Sequence, residues 1–396
     1  MFRILKQKNT NKIIIGFIII FILISVLVYF LYYRPRYFES MDNQDNNQDN
    51  NQDNNQDNAN KPSTNILPNQ NSYLTTLTQH KEERHFPYRY MHDENDQILP
   101  IVGVAAFFRN DKERVEMYND YVKNNIKIIG ATMYKSFPRP ITDNTGDSDT
   151  KNDPFDYYGN IKDWLCCFNN PERYGFDSRH NLIEISESDF YDAEPEDINP
   201  PTTKKYDMIY SCLNDDENAC PLDGWNAVNR NFDLFKRCLP IIINEFKMKV
   251  MVMGRTKCGL EEIYGDKIET SPMLPYHEFQ QKLKESKMLF IPNHYDASPR
   301  VITEAIIKNV PVLMNENILC GSKYITHETG EFFTDEHNIR LALTHLLSRI
   351  DTIKPKKWWE ANYSKKKMGK KLRDFLYKDP NVQGVLENVK EVYFYL

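Results

Sequence analysis

The stretch from 288 to 330 constrains the fold more than any other. Met288-Leu289-Phe290-Ile291-Pro292 is an apolar run of strand length, and Pro311-Val312-Leu313-Met314 is a second. Between them lie two carboxylates eight apart, Asp296 and Glu304. Ser298-Pro299 offers a helix start, Glu304 stands at the beginning of that helix, and Asn309 stops it. Strand, acidic turn, helix and strand make a right-handed βαβ unit, whose ligands lie beyond the carboxyl ends of its strands. Asp296 is placed at one such end.

The same alternation occurs elsewhere. Residues 100–108 read as a buried strand, 112–124 as a helix and 127–133 as a strand. Residues 161–168 read as helix, and 181–185 as a short strand before the acids Glu187, Asp189 and Asp192. A Pro200-Pro201 linker follows. Residues 206–213 then give a strand, 226–246 a helix, 248–254 a strand and 276–286 a helix. The expectation is an α/β fold of two Rossmann-like domains, 85–200 and 201–396, the second ending in helices.

With Gly321 and Thr329-Gly330, the run from Pro292 through Asp296, Glu304-Ala305 and Pro311-Val312 resembles the donor-binding half of GT-B glycosyltransferases of group 1, family 4-like. The resemblance spans about 206–347, and Asp296 stands where the family usually has Glu. It implies transfer of a sugar from a nucleotide-sugar donor to a glycan, protein or lipid acceptor, with retention of configuration. Asp296 and Glu304 are the implied catalytic acids, Asp296 meeting the hexose and Glu304 also the ribose. Such acids suit sugars because a carboxylate accepts charge-assisted hydrogen bonds from hydroxyls. Arg230-Asn231 matches the helix start whose cation holds the donor diphosphate, and the family's companion Arg falls on Gly224. Gly254 lets a loop approach the ligand, Arg255 is a second phosphate candidate, and Met273 and Leu274 precede the helix that holds the base. Gly321 completes the implied donor contacts. The resemblance calls for no metal and no cofactor, the nucleotide sugar being a substrate.

Two other readings use other features. Asp147-Ser148-Asp149 is the D-x-D of metal-dependent GT-A enzymes, although it lies in a polar stretch with no apolar strand before it. A protein that binds a nucleotide sugar or glycan without turnover accounts for the short first half and for Gly224.

At the other end, 13–33 is an unbroken apolar run long enough to cross a bilayer. Arg3, Lys6, Lys8 and Lys12 precede it and only Arg34 and Arg36 closely follow. The charge bias makes it a single-pass signal anchor of type II, with 1–12 cytosolic and the body lumenal or external. Residues 34–84, with their Asn-Gln-Asp-Asn repeats, read as a disordered linker. The net charge is -6, and the basic N-terminus and the five repeat aspartates cancel, so the body is acidic and nucleic acid is not an expected partner. Seven cysteines without a C-x-x-C spacing argue against zinc, and Cys212 with Cys220 is one pairing open to an oxidised chain. Asn362-Tyr363-Ser364 is an N-glycosylation sequon. Lys354 to Arg373 surrounds Trp358 and Trp359 with lysines: a solvated helix with its tryptophans inward, or a contact for anionic headgroups or acceptors.

Overall fold

The computed structural model describes residues 86–132, 137–138, 153–193, 203–216, 219–296 and 300–394. Every described residue belongs to one compact unit. The apolar run 13–33, the repeats and the D-x-D at Asp147 and Asp149 therefore lie outside the described residues. Among the described residues no helix is long and apolar enough to cross a membrane.

In chain order the elements are β1 (Tyr88–Asp93), β2 (Ile98–Val104), α1 (Lys112–Lys123), β3 (Lys127–Ala131), β4 (Asp163–Cys166) and β5 (Asn181–Glu184). Then come β6 (Tyr206–Ser211), α2 (Trp225–Asn229), α3 (Phe232–Leu239), β7 (Val250–Met253), β8 (Ile268–Ser271) and α4 (Tyr276–Lys284). Next are β9 (Ser286–Ile291), α5 (Arg300–Ile307), β10 (Val312–Asn315), β11 (Gly330–Phe333) and α6 (Ile339–Leu347). The chain closes with α7 (Pro355–Asn362), α8 (Lys365–Leu376), α9 (Pro380–Leu386) and β12 (Val392–Phe394).

Two six-stranded sheets result, so the expected α/β class with two sheets holds. The second sheet runs β11-β10-β9-β6-β7-β8 and its pairs are parallel. Counting its strands from β6, this is the order 3-2-1-4-5-6 of the doubly wound Rossmann fold, with the order reversing between β6 and β9. Both faces are covered, which is why β6, β7, β9 and β10 are nearly all apolar.

The first sheet departs from the Rossmann expectation. Its order is β12-β1-β2-β3-β4-β5, so β2 to β5 follow one another without a reversal, and β1 is antiparallel to both neighbours. Alternate residues build its two cores. Val102, Val104, Ile128 and Trp164 face α1, while Ile101, Ile129, Leu165 and Ile183 pack with Met368, Leu372 and Leu386 of α8 and α9. The 201–396 segment thus returns its last strand and helices to the first sheet. Lys127 of β3 is salt-bridged to both Asp163 and Asp379, the latter capping α9.

Three local expectations change. Residues 163–166, inside the stretch read as helix, form β4, because four consecutive buried side chains suit a central strand equally well. The helix expected over 226–246 breaks at Asn231, whose φ of 48° lies in the left-handed region, and 240–245 is a π-helix. The lysine-rich helix is two, separated at Tyr363-Ser364. Trp359 of the first is buried, with its indole donating to the Tyr191 carbonyl at 2.9 Å. Asn309 ends α5 as expected, at φ 60°.

Candidate functional site

The order reversal between β6 and β9 fixes which loops can meet a ligand. The loop after β6 leads into α2, and the loop after β9 leads towards α5. They are stitched together by backbone, since the carbonyl of Asn229 accepts from the amides of His294 at 3.1 Å and Tyr295 at 3.3 Å. The Pro292 carbonyl is held by Asn315 Nδ2 at 3.1 Å.

On this platform Arg230 and Asp296 meet. Arg230, the C-cap of α2, is salt-bridged through Nη1 to Asp296 Oδ2, and Asn293 Nδ2 donates to the same oxygen at 2.9 Å. Asp296 is 8% exposed while the Arg230 side chain keeps 37%. Asn231 caps α3, its Oδ1 accepting from the Leu234 amide at 3.4 Å. Two buried acceptors beside the pair, Asn229 Oδ1 and Asn293 Oδ1, meet no hydrogen-bond donor among the described residues. Leaving a buried acceptor unpaired costs about 1–3 kcal/mol, so a ligand's hydroxyls or a bound water would stabilise this floor.

Glu304 is buried in the second turn of α5 and not at its first residue. It lies within electrostatic reach of Tyr191 in the first half. Burial pushes the Tyr191 phenol up, Glu304 and Glu187 add to that rise, and Arg300 opposes it. Arg300 Nε also lies 3.9 Å from Glu187 Oε1. Segment 187–191 of the first half, where the sequence shows no motif, is thus brought to the helix that carries Glu304.

Gly254 ends β7 at φ 92°, and a Cβ there would stand 2.3 Å from the Cys212 carbonyl and 3.0 Å from Met273 Sδ. Only glycine fits. Its amide donates to the Ser271 carbonyl at 2.8 Å, which sets Met273, 41% exposed, and the partly buried Leu274 along the same carboxyl edge. Gly321, at φ 90°, opens the 3₁₀ turn Ser322–Tyr324 and lies towards the first half, where Cys320 forms an antiparallel bridge with Phe168.

Arg255, the second phosphate-binding candidate, has its guanidinium engaged within the protein. It is wholly buried, Nη2 donating to Asp215 Oδ2 at 2.8 Å, Nη1 to the Pro221 carbonyl at 3.0 Å, and the plane stacking over Phe232 at 4.7 Å. Asp215 in turn accepts from the amides of Asn226 at 2.7 Å and Ala227 at 3.0 Å. Arg255 therefore anchors the start of α2 and acts from below the site. Nor does Cys212 pair with Cys220. Cys220 is bridged to Cys258, and Cys212 is buried beside Arg255 Nε at 3.3 Å.

Sequence reasoning missed Asn229, Asn293, Tyr191 and Asp215, ordinary polar residues without a spacing to mark them. Among the described residues no group of three or more His, Cys, Asp or Glu is placed to hold a metal ion.

No protein-family model matches this chain, and no curated protein matches it. Among solved structures it is similar to sucrose-phosphate synthase from Thermosynechococcus elongatus, with 12% identity over 65% of this chain and 70% of that one and a TM-score of 0.43. It is similar to TarM at 13% identity, over 66% of this chain and 53% of that one, TM-score 0.44. A third is the lipopolysaccharide outer core galactosyltransferase WaaB in its apo form, at 12% identity over 74% of each chain, TM-score 0.41. The chain spans about half of TarM's length. The strand order above, and not these likenesses, defines the fold.

Proposed function

We propose that the chain is a glycosyltransferase that moves a sugar from a nucleotide-sugar donor to a hydroxyl-bearing glycan, protein or lipid acceptor. The observation that carries this reading is the meeting of Arg230, Asp296 and two unpaired buried acceptors at the order reversal of a doubly wound sheet, with Glu304 on the helix that follows. Arg230 offers the diphosphate a bidentate cation, so no metal is needed for neutralisation. Asp296 and the two asparagine carbonyls accept from sugar hydroxyls, and Glu304 from the ribose. In the transfer the bond from the anomeric carbon to the diphosphate oxygen breaks and a bond to the acceptor oxygen forms. The leaving diphosphate takes the acceptor's proton, and the configuration is retained. Residues 13–33 tether this body to a membrane.

Incubation with a panel of nucleotide sugars, with and without EDTA, tests the reading. We expect release of nucleoside diphosphate from one donor, within twofold in either condition. Loss on chelation would move the chemistry to a metal, and binding without turnover would leave a nucleotide-sugar-binding protein.

A further inference from the structure

The site joins two groups that a donor uses separately. Arg230 neutralises Asp296, and the carboxylate is buried while the guanidinium is partly open to solvent. Asp296 engages the Nη1 of a single positive charge, and a diphosphate carries more negative charge than a carboxylate to compete for it. We propose that Asp296 is an internal competitor for the diphosphate. A diphosphate seated on Arg230 draws the guanidinium away, and only then is Asp296 available to sugar hydroxyls. The inference rests on the function proposed above.

Its consequence is a coupling between the two parts of the donor. A diphosphate alone takes the cation and leaves a buried carboxylate without one, with Asn293 Nδ2 its remaining hydrogen-bond donor among the described residues. An intact nucleotide sugar takes the cation and supplies hydroxyls to Asp296 and to the unpaired carbonyls of Asn229 and Asn293. The two halves of the donor therefore bind cooperatively. After transfer the sugar is gone, Asp296 reclaims Arg230, and the product diphosphate is weakened where it sits. The exchange selects substrate over product.

Calorimetry on the full chain with inorganic pyrophosphate, UDP, GDP and ADP tests this in a double-mutant cycle of Asp296→Asn and Arg230→Gln. Asparagine keeps the shape and the contact with Asn293, and a thermal melt confirms that each variant is folded. We expect Asp296→Asn to bind pyrophosphate and the cognate nucleoside diphosphate roughly three- to tenfold tighter than the parent, the worth of a released ion pair. In the Arg230→Gln background the same substitution should change nothing beyond twofold, because there is no cation to release. A folded Asp296→Asn that binds these anions no more tightly overturns the exchange and leaves the proposed function standing. Tightening that persists without Arg230 also overturns it, since removal of a negative charge then suffices. If the parent binds none of the four anions, the exchange and the proposed function fall together.

Discussion

Arg255 and Glu304 are both buried charges near the carboxyl edge of the second sheet, yet their surroundings assign them opposite work. Arg255 is enclosed, with Asp215, the Pro221 carbonyl and the Phe232 ring around its guanidinium. Arg255→Met keeps bulk but strands Asp215, and removal of one partner of a buried pair costs about 3–5 kcal/mol. We expect that loss in denaturant unfolding, with donor affinity of the folded fraction nearly unchanged. Glu304 instead is buried on α5 within electrostatic reach of Tyr191 in the first half. Glu304→Gln removes a charged acceptor worth about 1.5–3 kcal/mol to a ribose hydroxyl, so donor affinity should fall roughly ten- to a hundredfold. Its unfolding midpoint should stay near the parent's. A Glu304→Gln chain that is folded and binds nucleotide as the parent does would make this carboxylate a helix residue and nothing more. Asp296, Glu304 and Arg230 stood out in the sequence through the resemblance to the donor-binding pattern, which sets an acid pair around a strand-to-helix turn and a cation at a helix start. Arg255 had a pattern too, a strand followed by glycine, but whether its donors point to a ligand or to Asp215 depends on residues forty positions away.

Elements were legible where their environment is uniform. β6, β7, β9 and β10 are covered on both faces and read as apolar runs, whereas β1 and β12 draw their strand character from a partner some three hundred residues distant. No local pattern carries that information. The tie between those distant parts is Lys127, which joins β3 to Asp163 and to the N-cap of α9. For Asp379, burial pushes the carboxyl up, but the Lys127 and Asn381 hydrogen bonds outweigh it and hold the group below its ordinary value. A depressed acid contributes stability above its unfolded pKa that is lost as pH falls through the folded one. Lys127 is opposed by burial and raised on balance by the two aspartates, so its share is lost only above the ordinary lysine range. Asp379→Asn keeps the helix cap and removes the ion pair. We expect it to cost about 1–2 kcal/mol at pH 7, less than a fully buried charged bond because both groups keep some solvent. The gap from the parent should begin to narrow as pH falls below about 4, the ordinary carboxylate range, and go on closing as pH passes through the lower folded value. A gap that keeps its full pH 7 size as pH falls through the acid range would show that the asparagine disturbs packing and not charge.

At the scale of the molecule, the proposed donor site lies wholly on the second half, while transfer needs the first half held against it. A buried tie between them is Asp189. It is fully enclosed and accepts from the Ser186 amide at 2.9 Å within its own segment, and from Lys323 Nζ at 2.6 Å and Tyr324 Oη at 2.5 Å in the turn after Gly321. Burial pushes the Tyr324 phenol far up and the Asp189 charge adds to it, so the phenol stays a donor to that carboxylate at any working pH. Asn169 extends the tie through Ser322 at 2.7 Å and the Ile318 carbonyl at 2.9 Å. Asp189→Asn leaves Lys323 without its carboxylate in a site that admits little water, at a cost of about 3 kcal/mol. If the division of labour is right, the variant separates binding from turnover. Under conditions where it is folded, nucleoside-diphosphate affinity should stay within twofold of the parent, because Arg230, Asp296 and Glu304 are untouched. Acceptor-dependent kcat should fall by an order of magnitude or more, since a displacement of about 1 Å between reacting groups costs that much. Calorimetry beside steady-state kinetics reads the two quantities separately. Equal losses in both would place Asp189 in the general stability of the fold, and unchanged turnover would mean that the halves keep their register without it.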